Sequence, residues 1–438
     1  MSELHIGALI AVVTVLVLLT GVPVAFALGL TAIGALVWFD GIRALEFVPD
    51  VVFGSLENFA LLSIPMFILM GGAIASSRAG SDLYEALDRW LYRVPGGLMA
   101  SNLGACALFA ALSGSSPATC AAIGKLGIPE MRRRGYADGI ATGAIAAGGT
   151  LGILIPPSVT MIVYGIATET SIGRLFLSGI VPGLMLTAMF IAYSVVAARW
   201  TGGAVVDTGL RYTMRQKIEI LPKVLPFLAI IVGILYVLYG GIATPSEAAG
   251  VGAVFALALV VVIYKVYQPG KLWDIVRSVT RESVMILMIV AAGDLFSYML
   301  SSLFITQTLA MAIADMALNP WVMMLIINVF LLIAGMFLPP VAIILMAAPT
   351  LIPIIQTLGF DPIWFAVILT INMEIGLITP PVGLNLFVIN GIAPDVRLPT
   401  ILWGSLPFVL IMILGMVILS IFPQIALWLP NVLMGPGI

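Results

Sequence analysis

Charged side chains are scarce in this sequence. Aspartate, glutamate, lysine and arginine together make up 9% of its 438 residues, whereas hydrophobic residues make up 61%. A soluble domain normally carries about 25% charged residues, because its surface must interact with water. The composition therefore excludes a water-soluble globular protein and predicts an all-α polytopic membrane protein in the lipid bilayer. The sequence also lacks the short alternating segments that are typical of a transmembrane β-barrel.

Residues that bind transition metals are almost absent as well. The sequence has one histidine, His5, and two cysteines, Cys106 and Cys120, which are too few ligands for most metal sites. We predict that both cysteines are free thiols packed in helices of apolar or small residues. We expect no transition metal and no resident cofactor.

Several functional classes lack their characteristic motifs. No Gly-x-Ser-x-Gly motif accompanies the single histidine, so a membrane-embedded hydrolase is disfavoured and we expect no enzymatic activity. The sequence has no glycine-rich phosphate loop with a lysine, which argues against direct use of ATP. Its basic residues form no patch beyond ordinary loop charge, so we expect no nucleic-acid partner. A passive membrane scaffold remains an alternative at this point.

What the sequence does contain is a pair of similar interruptions in long apolar runs. Residues 152–158 read Gly-Ile-Leu-Ile-Pro-Pro-Ser, and residues 376–382 read Gly-Leu-Ile-Thr-Pro-Pro-Val. Proline lacks an amide hydrogen and clashes with the preceding turn, so two consecutive prolines end a helix. We therefore predict two broken transmembrane helices, at about 137–168 and 362–393. The breaks contain Pro156, Pro157, Pro380 and Pro381.

Two further segments have arms that are too short to cross a membrane comfortably. The first covers residues 97–134 and has the polar tip Ser113–Thr119, and the second covers residues 320–358 and has the tip Gly335–Pro340, which includes Pro339. Each arm of the first segment has about 15 residues, whereas a spanning helix needs about 20. We predict two re-entrant helical hairpins whose tips reach the middle of the membrane.

The two halves of the chain repeat each other at an offset of 224 residues, which aligns Gly152 with Gly376 and each Pro-Pro pair with the other. We predict a first repeat at 1–198, a cytoplasmic linker at 199–222 and a second repeat at 223–438. We predict further membrane helices at 6–20, 23–39, 61–77, 172–198, 223–240, 246–264, 283–300 and 399–422. Two amphipathic helices are predicted at 78–95 and 302–318.

The number of spans and the positions of the basic residues predict the orientation. Each half contains five spans and one hairpin, and an odd number of crossings inverts the second half relative to the first. If the linker is cytoplasmic, sixteen of the nineteen basic residues are cytoplasmic too, all but Arg43, Arg174 and Lys125. We therefore predict two inverted-topology repeats with both termini on the outer face.

The ends of the half-helices form the candidate transport site. Helix N-termini carry about half a positive charge and free amides that attract carboxylates, whereas unwound carbonyls and hydroxyls suit a small cation. The predicted cation-binding residues are Ser113, Ser115, Ser116, Thr119, Thr150, Gly152, Gly335, Asn372, Gly376 and Thr379. The predicted substrate-binding residues are Ser116, Pro117, Pro157, Ser158, Pro340, Pro381 and Asn385. The alternative is that the breaks are packing kinks, which the matching pairs disfavour.

Three acidic residues lie in predicted membrane segments. Glu374 lies two residues before Gly376, and it either takes part in transport or accepts hydrogen bonds from unwound backbone. Asp294 has the same two interpretations. Thr244-Pro245-Ser246-Glu247 matches a capping box, so Glu247 is predicted to cap a helix that begins after Thr244.

Four motifs resemble a known transporter family, and the resemblance covers nearly the whole chain. The motifs are Phe59–Phe67, Ser113–Thr119, Gly241–Ala249 and Asn372–Asn385. They resemble the large membrane subunit of TRAP transporters, the tripartite ATP-independent periplasmic carriers. The resemblance implies a bacterial inner-membrane protein in which a hairpin-bearing transport domain moves as an elevator against a scaffold. It also implies sodium coupling, with a small four-helix membrane subunit and a periplasmic solute-binding protein as partners. The length predicts an unfused large subunit.

The leading functional hypothesis is sodium-driven import of a small organic carboxylate, such as a C4-dicarboxylate or sialic acid, delivered by the periplasmic receptor. An alternative is a single-component cation-coupled dicarboxylate symporter that works without a receptor. Protons are an alternative to sodium as the coupling ion. The sequence does not define the carboxylate, because the receptor is expected to select it.

Overall fold

The computed structural model describes residues 2–92, 96–200, 212–315 and 318–435, and all regular secondary structure in these ranges is helical. The first ten α-helices are α1 (Glu3–Leu19), α2 (Val24–Phe39), α3 (Val48–Leu56), α4 (Ser63–Ala75), α5 (Ala79–Leu91), α6 (Gly97–Ser113), α7 (Ser116–Arg133), α8 (Asp138–Thr150), α9 (Val159–Ala167) and α10 (Ile172–Trp200).

The helices of the second part follow a similar order. They are α11 (Met214–Glu219), α12 (Leu221–Tyr239), α13 (Pro245–Val262), α14 (Pro269–Ser302), α15 (Ile305–Asp315), α16 (Pro320–Gly335), α17 (Pro340–Thr357), α18 (Pro362–Leu377), α19 (Leu384–Ile392), α20 (Leu398–Ile421) and α21 (Gln424–Met434). Short 3₁₀ turns cover Ile42–Phe47, Phe59–Leu62 and Leu151–Ile153.

Five of the described helices are individually long and apolar enough to cross a membrane. They are α10, α12, α13, α14 and α20. The longest, α14, has 34 residues and is therefore about 51 Å long, whereas the hydrocarbon core is about 30 Å thick. The predicted span 283–300 is thus only the C-terminal part of α14, and the helix begins well before its apolar part.

The sequence interpretation missed three helices. Helix α3 has nine residues and contacts α14, α21 has eleven residues and contacts α10, and α11 has six residues within the predicted linker. All three are shorter than a membrane span, and a span-length hydrophobic pattern cannot reveal such helices. Part of the predicted linker, residues 201–211, and the end of the predicted amphipathic helix at 93–95 lie outside the described residues.

Both helical breaks predicted from the proline pairs are present. Helix α8 ends at Thr150 and α9 begins at Val159, while α18 ends at Leu377 and α19 begins at Leu384. The Pro156-Pro157 and Pro380-Pro381 peptide bonds are both cis.

The prolines occupy two different positions relative to the half-helices. Pro117 and Pro340 lie in the first turns of α7 and α17, where the missing amide hydrogen has no helical partner to lose. Pro157, in contrast, precedes the N-cap residue Ser158, and Pro381 lies two residues before the N-cap residue Gly383. The two hairpins therefore have proline within the first turn of a half-helix, whereas the breaks place theirs just outside the helix.

Glycine allows two helices next to the breaks to cross closely. A Cβ atom added at Gly404 in α20 would lie 2.9 Å from the Cα of Gly139 in α8. One added at Gly143 would lie 2.6 Å from the backbone nitrogen of Ser405. Small residues let membrane helices approach closely, and the contact gains van der Waals energy that lipid cannot replace. This crossing fixes the helix that leads into the first break.

Candidate functional site

The first hairpin tip lies directly against the first break. A Cβ atom added at Gly152 would lie 2.6 Å from the carbonyl oxygen of Ser115, and one at Gly114 would lie 2.7 Å from that of Pro157. Gly114 also has a positive φ of 60°, which glycine adopts with little cost. At each of these two positions a carbonyl oxygen of the other segment lies where a Cβ atom would be, so only glycine fits.

Hydroxyl oxygens gather at the same tip. The Ser113 Oγ and Thr119 Oγ1 atoms are 2.9 Å apart, and the Thr119 hydroxyl donates a hydrogen bond of 2.9 Å to the carbonyl oxygen of Ser115. All three residues are among the predicted cation-binding positions. Several oxygen atoms at unwound backbone are the ligand type that suits a small, hard cation.

The second hairpin tip lies against the second break in the same way. A Cβ atom added at Gly376 would lie 2.5 Å from the carbonyl oxygen of Gly335. The amide of Val382 donates a 3.2 Å hydrogen bond to the carbonyl oxygen of Met336. The Thr379 hydroxyl donates a 2.7 Å hydrogen bond to the carbonyl oxygen of Ile375, one turn back in its own chain segment.

An amide pair that the sequence interpretation did not find supports this second contact. Asn372 in α18 donates 2.9 Å hydrogen bonds from Nδ2 to both the backbone oxygen and the Oδ1 atom of Asn328 in α16. The Oδ1 atom of Asn372 is buried and has no hydrogen-bond partner among the described residues. Asn328 lies in an apolar helix without any motif, so only the packing of α16 on α18 reveals it.

A side-chain hydrogen bond connects the first tip to the second break. Ser116 donates a 2.5 Å bond from Oγ to the Oε1 atom of Glu374, although the two residues are 258 positions apart. Ser116 is completely buried and Glu374 is 1% exposed. The Oε2 atom of Glu374 has no hydrogen-bond partner in the described part of the chain.

Both tips line one cavity of about 590 Å³. Ser113–Ala118 and Pro339–Val341 contribute to its wall on one side. The N-terminal end of α2, the C-terminal end of α4 and the middle of α14 also contribute, together with residues beside the two breaks, namely Ile153, Val159, Thr160, Leu377 and Leu384. A cavity of this volume is in the usual range for small-molecule sites. The two tips therefore meet at one place, as the sequence interpretation required.

Comparison with known proteins identifies the family. The family model described as tripartite ATP-independent periplasmic transporter, DctM component, matches residues 11–425. The chain belongs to this family. It is thus a large permease subunit of a TRAP transporter, a multi-pass membrane protein and not an enzyme.

Several curated relatives of this TRAP permease are similar over nearly their whole length. The C4-dicarboxylate TRAP transporter large permease protein DctM of Pseudomonas aeruginosa is 38% identical, over 90% of each chain. A DctM protein of Rhodobacter capsulatus is 36% identical, over 99% of this chain and 100% of that protein. The sialic acid TRAP transporter large permease protein SiaM of Vibrio cholerae is 30% identical, over 96% of this chain and 97% of SiaM.

Solved transporter structures share the fold of this TRAP permease. The YdaH transporter of Alcanivorax borkumensis superposes with a TM-score of 0.64 and 16% identity, over 92% of this chain and 91% of YdaH. MtrF of Neisseria gonorrhoeae superposes with a TM-score of 0.56 and 13% identity, over 90% and 85% of the two chains. At such low identity the likeness concerns the fold alone.

Some predicted site residues of the permease do not reach the cavity. Thr150 donates a 2.5 Å hydrogen bond to the carbonyl oxygen of Ala147 in its own helix. Ser158 caps α9, because its hydroxyl accepts the Met161 amide at 3.3 Å, and it also donates to the carbonyl oxygen of Ile153. Both hydroxyls are therefore already hydrogen-bonded to backbone groups of their own chain segments. Eight other predicted positions besides Asn385 are also absent from the cavity wall, namely Thr119, Gly152, Pro157, Gly335, Asn372, Gly376, Thr379 and Pro381.

Asn385 was predicted to bind substrate, and the structure buries it completely, away from the cavity wall. Its Oδ1 and Nδ2 atoms both lack hydrogen-bond partners among the described residues. Buried polar groups are almost always hydrogen-bonded, by protein or by ordered water. The amide is thus free to bind a water molecule or an ion beside the second break.

Two charged residues of the cavity wall were missed. Arg281 and Glu282 in α14 both line the cavity. The sequence interpretation counted Arg281 among the cytoplasmic loop charges, because the apolar part of α14 begins at Ser283. Only the packing of α14 against the tips shows that this end of the helix borders the cavity.

Three structural predictions are confirmed away from the cavity. Cys106 and Cys120 are free and buried. Thr244 accepts a hydrogen bond from the amide of Glu247, and Glu247 accepts one of 2.8 Å from the amide of Thr244, which is the predicted capping box. Asp294 lies within α14 as expected.

An ion-pair cluster fixes the other ends of the helices that form the site. Arg132 near the end of α7 contacts Asp138 at the start of α8 at 2.8 Å, and Asp395 between α19 and α20 at 2.5 Å. The hydrogen bond from Arg132 lowers the pKa of Asp395. The cluster therefore joins segments of both halves of the chain outside the membrane-spanning helices.

Proposed function

We propose that this permease imports a small organic carboxylate by secondary transport coupled to sodium. The convergence of both hairpin tips and both breaks around one cavity is the observation that supports this most directly. A site between unwound segments would give both ions polar partners at membrane depth, where lipid supplies none.

The carboxylate would bind at the helix N-termini that border the cavity. Ser116 and Pro117 begin α7, and Pro340 begins α17, and all three line the cavity. The first amides of a helix have no backbone acceptor and carry a partial positive charge, so they favour an anion. The two N-termini face the cavity from different halves of the chain, which suits a substrate with more than one anionic group.

Sodium would bind beside each tip rather than in the open cavity. Ser113, Ser115 and Thr119 supply oxygen atoms at the first tip, and Gly335, Asn372, Gly376 and Thr379 surround the second. The unpartnered Oδ1 atom of Asn372 is a further available ligand. A bound cation would hold each tip against its break, and the complete site would then form only when sodium is present. Sodium and carboxylate binding would be coupled in this way.

The proposed motion is of the elevator type. Residues 1–198 and 223–438 would be inverted repeats joined by the 199–222 linker. Their hairpins and broken helices would move together as a transport domain. Helices such as α2, α4 and α14, which form the other wall of the cavity, would belong to the scaffold. The basic residues favour the bacterial inner membrane with both termini in the periplasm.

The family indicates the partners. TRAP systems are tripartite and periplasmic by description, so the permease would work with a small four-helix membrane subunit and a periplasmic solute-binding protein. Relatives are named for C4-dicarboxylates and for sialic acid, which share the carboxylate group. Carboxylate import is the common element that we carry over to this chain.

Reconstitution tests the proposal. The permease with its small subunit would be placed in proteoliposomes, and uptake of labelled candidate carboxylates would be measured with and without a sodium gradient and the receptor. We expect uptake only when both are present. Uptake without the receptor would support the single-component symporter. Uptake driven equally well by a proton gradient would contradict sodium as the coupling ion and favour protons.

Two substitutions test the cation sites. Ser115→Ala and Asn372→Ala should each raise the sodium concentration needed for half-maximal uptake, while the protein still inserts. Thr370→Val is the matched control, since the Thr370 hydroxyl is buried on α18 and bonds only to the carbonyl oxygen of Ala366 in its own helix. Unchanged sodium activation in both test variants would remove these residues from the cation sites.

A further inference from the structure

We infer that Arg281 binds the carboxylate of the substrate at the cytoplasmic mouth of the cavity, an inference that rests on the proposed transport of carboxylates. Arg281 and Glu282 are the charged side chains among the described residues that line this cavity. The two hairpin tips contribute Ser113–Ala118 and Pro339–Val341, which contain no basic residue. Arg281 therefore supplies the full positive charge of the wall.

The guanidinium group of Arg281 has no competing partner. It takes part in no ion pair or side-chain hydrogen bond among the described residues, and its side chain is exposed to the cavity. Glu282 is adjacent in sequence, and neighbouring residues on a helix point in directions about 100° apart, so they do not face each other. Arginine binds carboxylates through two parallel charge-assisted hydrogen bonds, which makes it well suited to this ligand.

The scaffold part of the cavity wall lies at one end of three helices. It includes Pro23 and Phe26 at the start of α2, Gly71 and Gly72 in the last two turns of α4, and Arg281 just before the apolar part of α14. The predicted orientation places each of these ends on the cytoplasmic side. In this conformation the cavity therefore borders the side of release, and a departing carboxylate would pass Arg281.

Close packing supports contact between the first tip and this part of the scaffold. A Cβ atom added at Gly71 would lie 2.7 Å from the carbonyl oxygen of Ser113, and one at Gly72 would lie 3.0 Å from the side chain of Val279. Helix α4 is thus held between the tip and α14. Because the first tip and Arg281 line the same cavity, a carboxylate that leaves the tip would enter the space that the Arg281 side chain borders.

Thiol labelling of the permease complex with its small subunit provides the test. The native thiols give a low background, because Cys106 and Cys120 are both 0% exposed. Arg281→Cys would be treated from the cytoplasmic side of inside-out vesicles with the anionic reagent sulfonatoethyl methanethiosulfonate. Arg277→Cys is the matched control, since Arg277 lies one turn earlier on α14, is exposed and does not line the cavity. The labelling rate of Ser115→Cys measures the accessibility of the first hairpin tip.

We expect succinate with sodium to slow labelling at position 281 at least about threefold and to leave position 277 unchanged. Protection at position 115 without protection at position 281 would overturn the role of Arg281 and leave carboxylate transport intact. Protection at neither position would overturn both for this probe. Absence of labelling at position 281 in unliganded vesicles would show that the residue does not border an open cavity.

Uptake gives an independent readout. Arg281→Gln should lower sodium-driven succinate uptake at limiting substrate by about tenfold or more, because one charge-assisted contact is lost. Arg281→Lys should recover part of this, since lysine keeps the charge without the paired geometry. Arg277→Gln removes the same charge from the same helix end and should stay within about twofold of wild type. Equal effects of the two glutamine variants would refute a specific contact.

Discussion

The hydrogen bond between Ser116 and Glu374 should be the strongest single link between the two halves of the site. Ser116→Ala removes the donor and leaves a buried carboxyl group without its partner. Glu374→Met keeps roughly the size of the side chain and removes both carboxyl oxygens, so no acceptor remains for the Ser116 hydroxyl. Each change should destabilise the folded protein, and the effect of the double variant should be smaller than the sum.

The expected magnitude follows from the geometry. The bond is 2.5 Å long, and both residues are at least 99% buried. A buried hydrogen bond contributes about 0.5–1.5 kcal/mol net, and leaving one partner buried and unsatisfied costs about 1–3 kcal/mol. We therefore expect each single variant to lose about 1.5–4.5 kcal/mol of unfolding free energy and the coupling energy to be about 1–3 kcal/mol.

A double-mutant cycle measures this coupling. Unfolding in mixed detergent micelles would give the free energies of wild type, both single variants and the double variant. Ser178→Ala is the control, since its hydroxyl is equally buried and bonds only within α10, to the carbonyl oxygen of Leu175. Ser178→Ala and Glu374→Met should be additive. A Ser116–Glu374 coupling below about 0.5 kcal/mol would contradict the proposed link, because independent sites add within that limit.

Three further predictions concern helix ends and packing. Pro380→Ala should let α18 continue through the second break, so sodium-driven uptake should be abolished. Membrane insertion, measured by fractionation, should stay normal. Transport at the wild-type rate would count against the broken helix. Gly404→Val introduces side-chain atoms against Gly139 and should destabilise the fold by at least about 2 kcal/mol in detergent unfolding, and an unchanged stability would show that α8 and α20 can separate. Thr244→Ala removes the capping acceptor and should cost about 1 kcal/mol of stability, whereas Glu247→Gln should cost less because its amide oxygen can still accept the Thr244 hydrogen bond.

Local patterns were enough to predict much of the fold. The two Pro-Pro pairs predicted both breaks, because proline interrupts a helix wherever it lies in the chain. The capping box at Thr244 and Glu247 was predicted for the same reason, since its hydrogen bonds span only three residues. The long apolar helices followed from composition alone.

The candidate site could be predicted only in part. Ser115, Ser116, Pro117 and Pro340 line the cavity from helix N-termini, and Ser113 lines it from the C-terminal end of α6. The hydroxyls of Thr150 and Ser158 instead form hydrogen bonds with backbone groups of their own chain segments. From sequence alone these cases look alike, because a hydroxyl beside a break can turn either toward a ligand or toward the backbone.

The sequence by itself determined the two breaks, the capped start of α13 and the long apolar helices, because capping, proline and hydrophobic runs act between residues close in the chain. Only the tertiary structure decided which of these segments meet. The contact of Ser116 with Glu374, the amide pair of Asn328 with Asn372 and the position of Arg281 at the cavity all depend on packing between distant helices. Such contacts follow from the shapes of whole helices against one another, which local residue patterns do not encode.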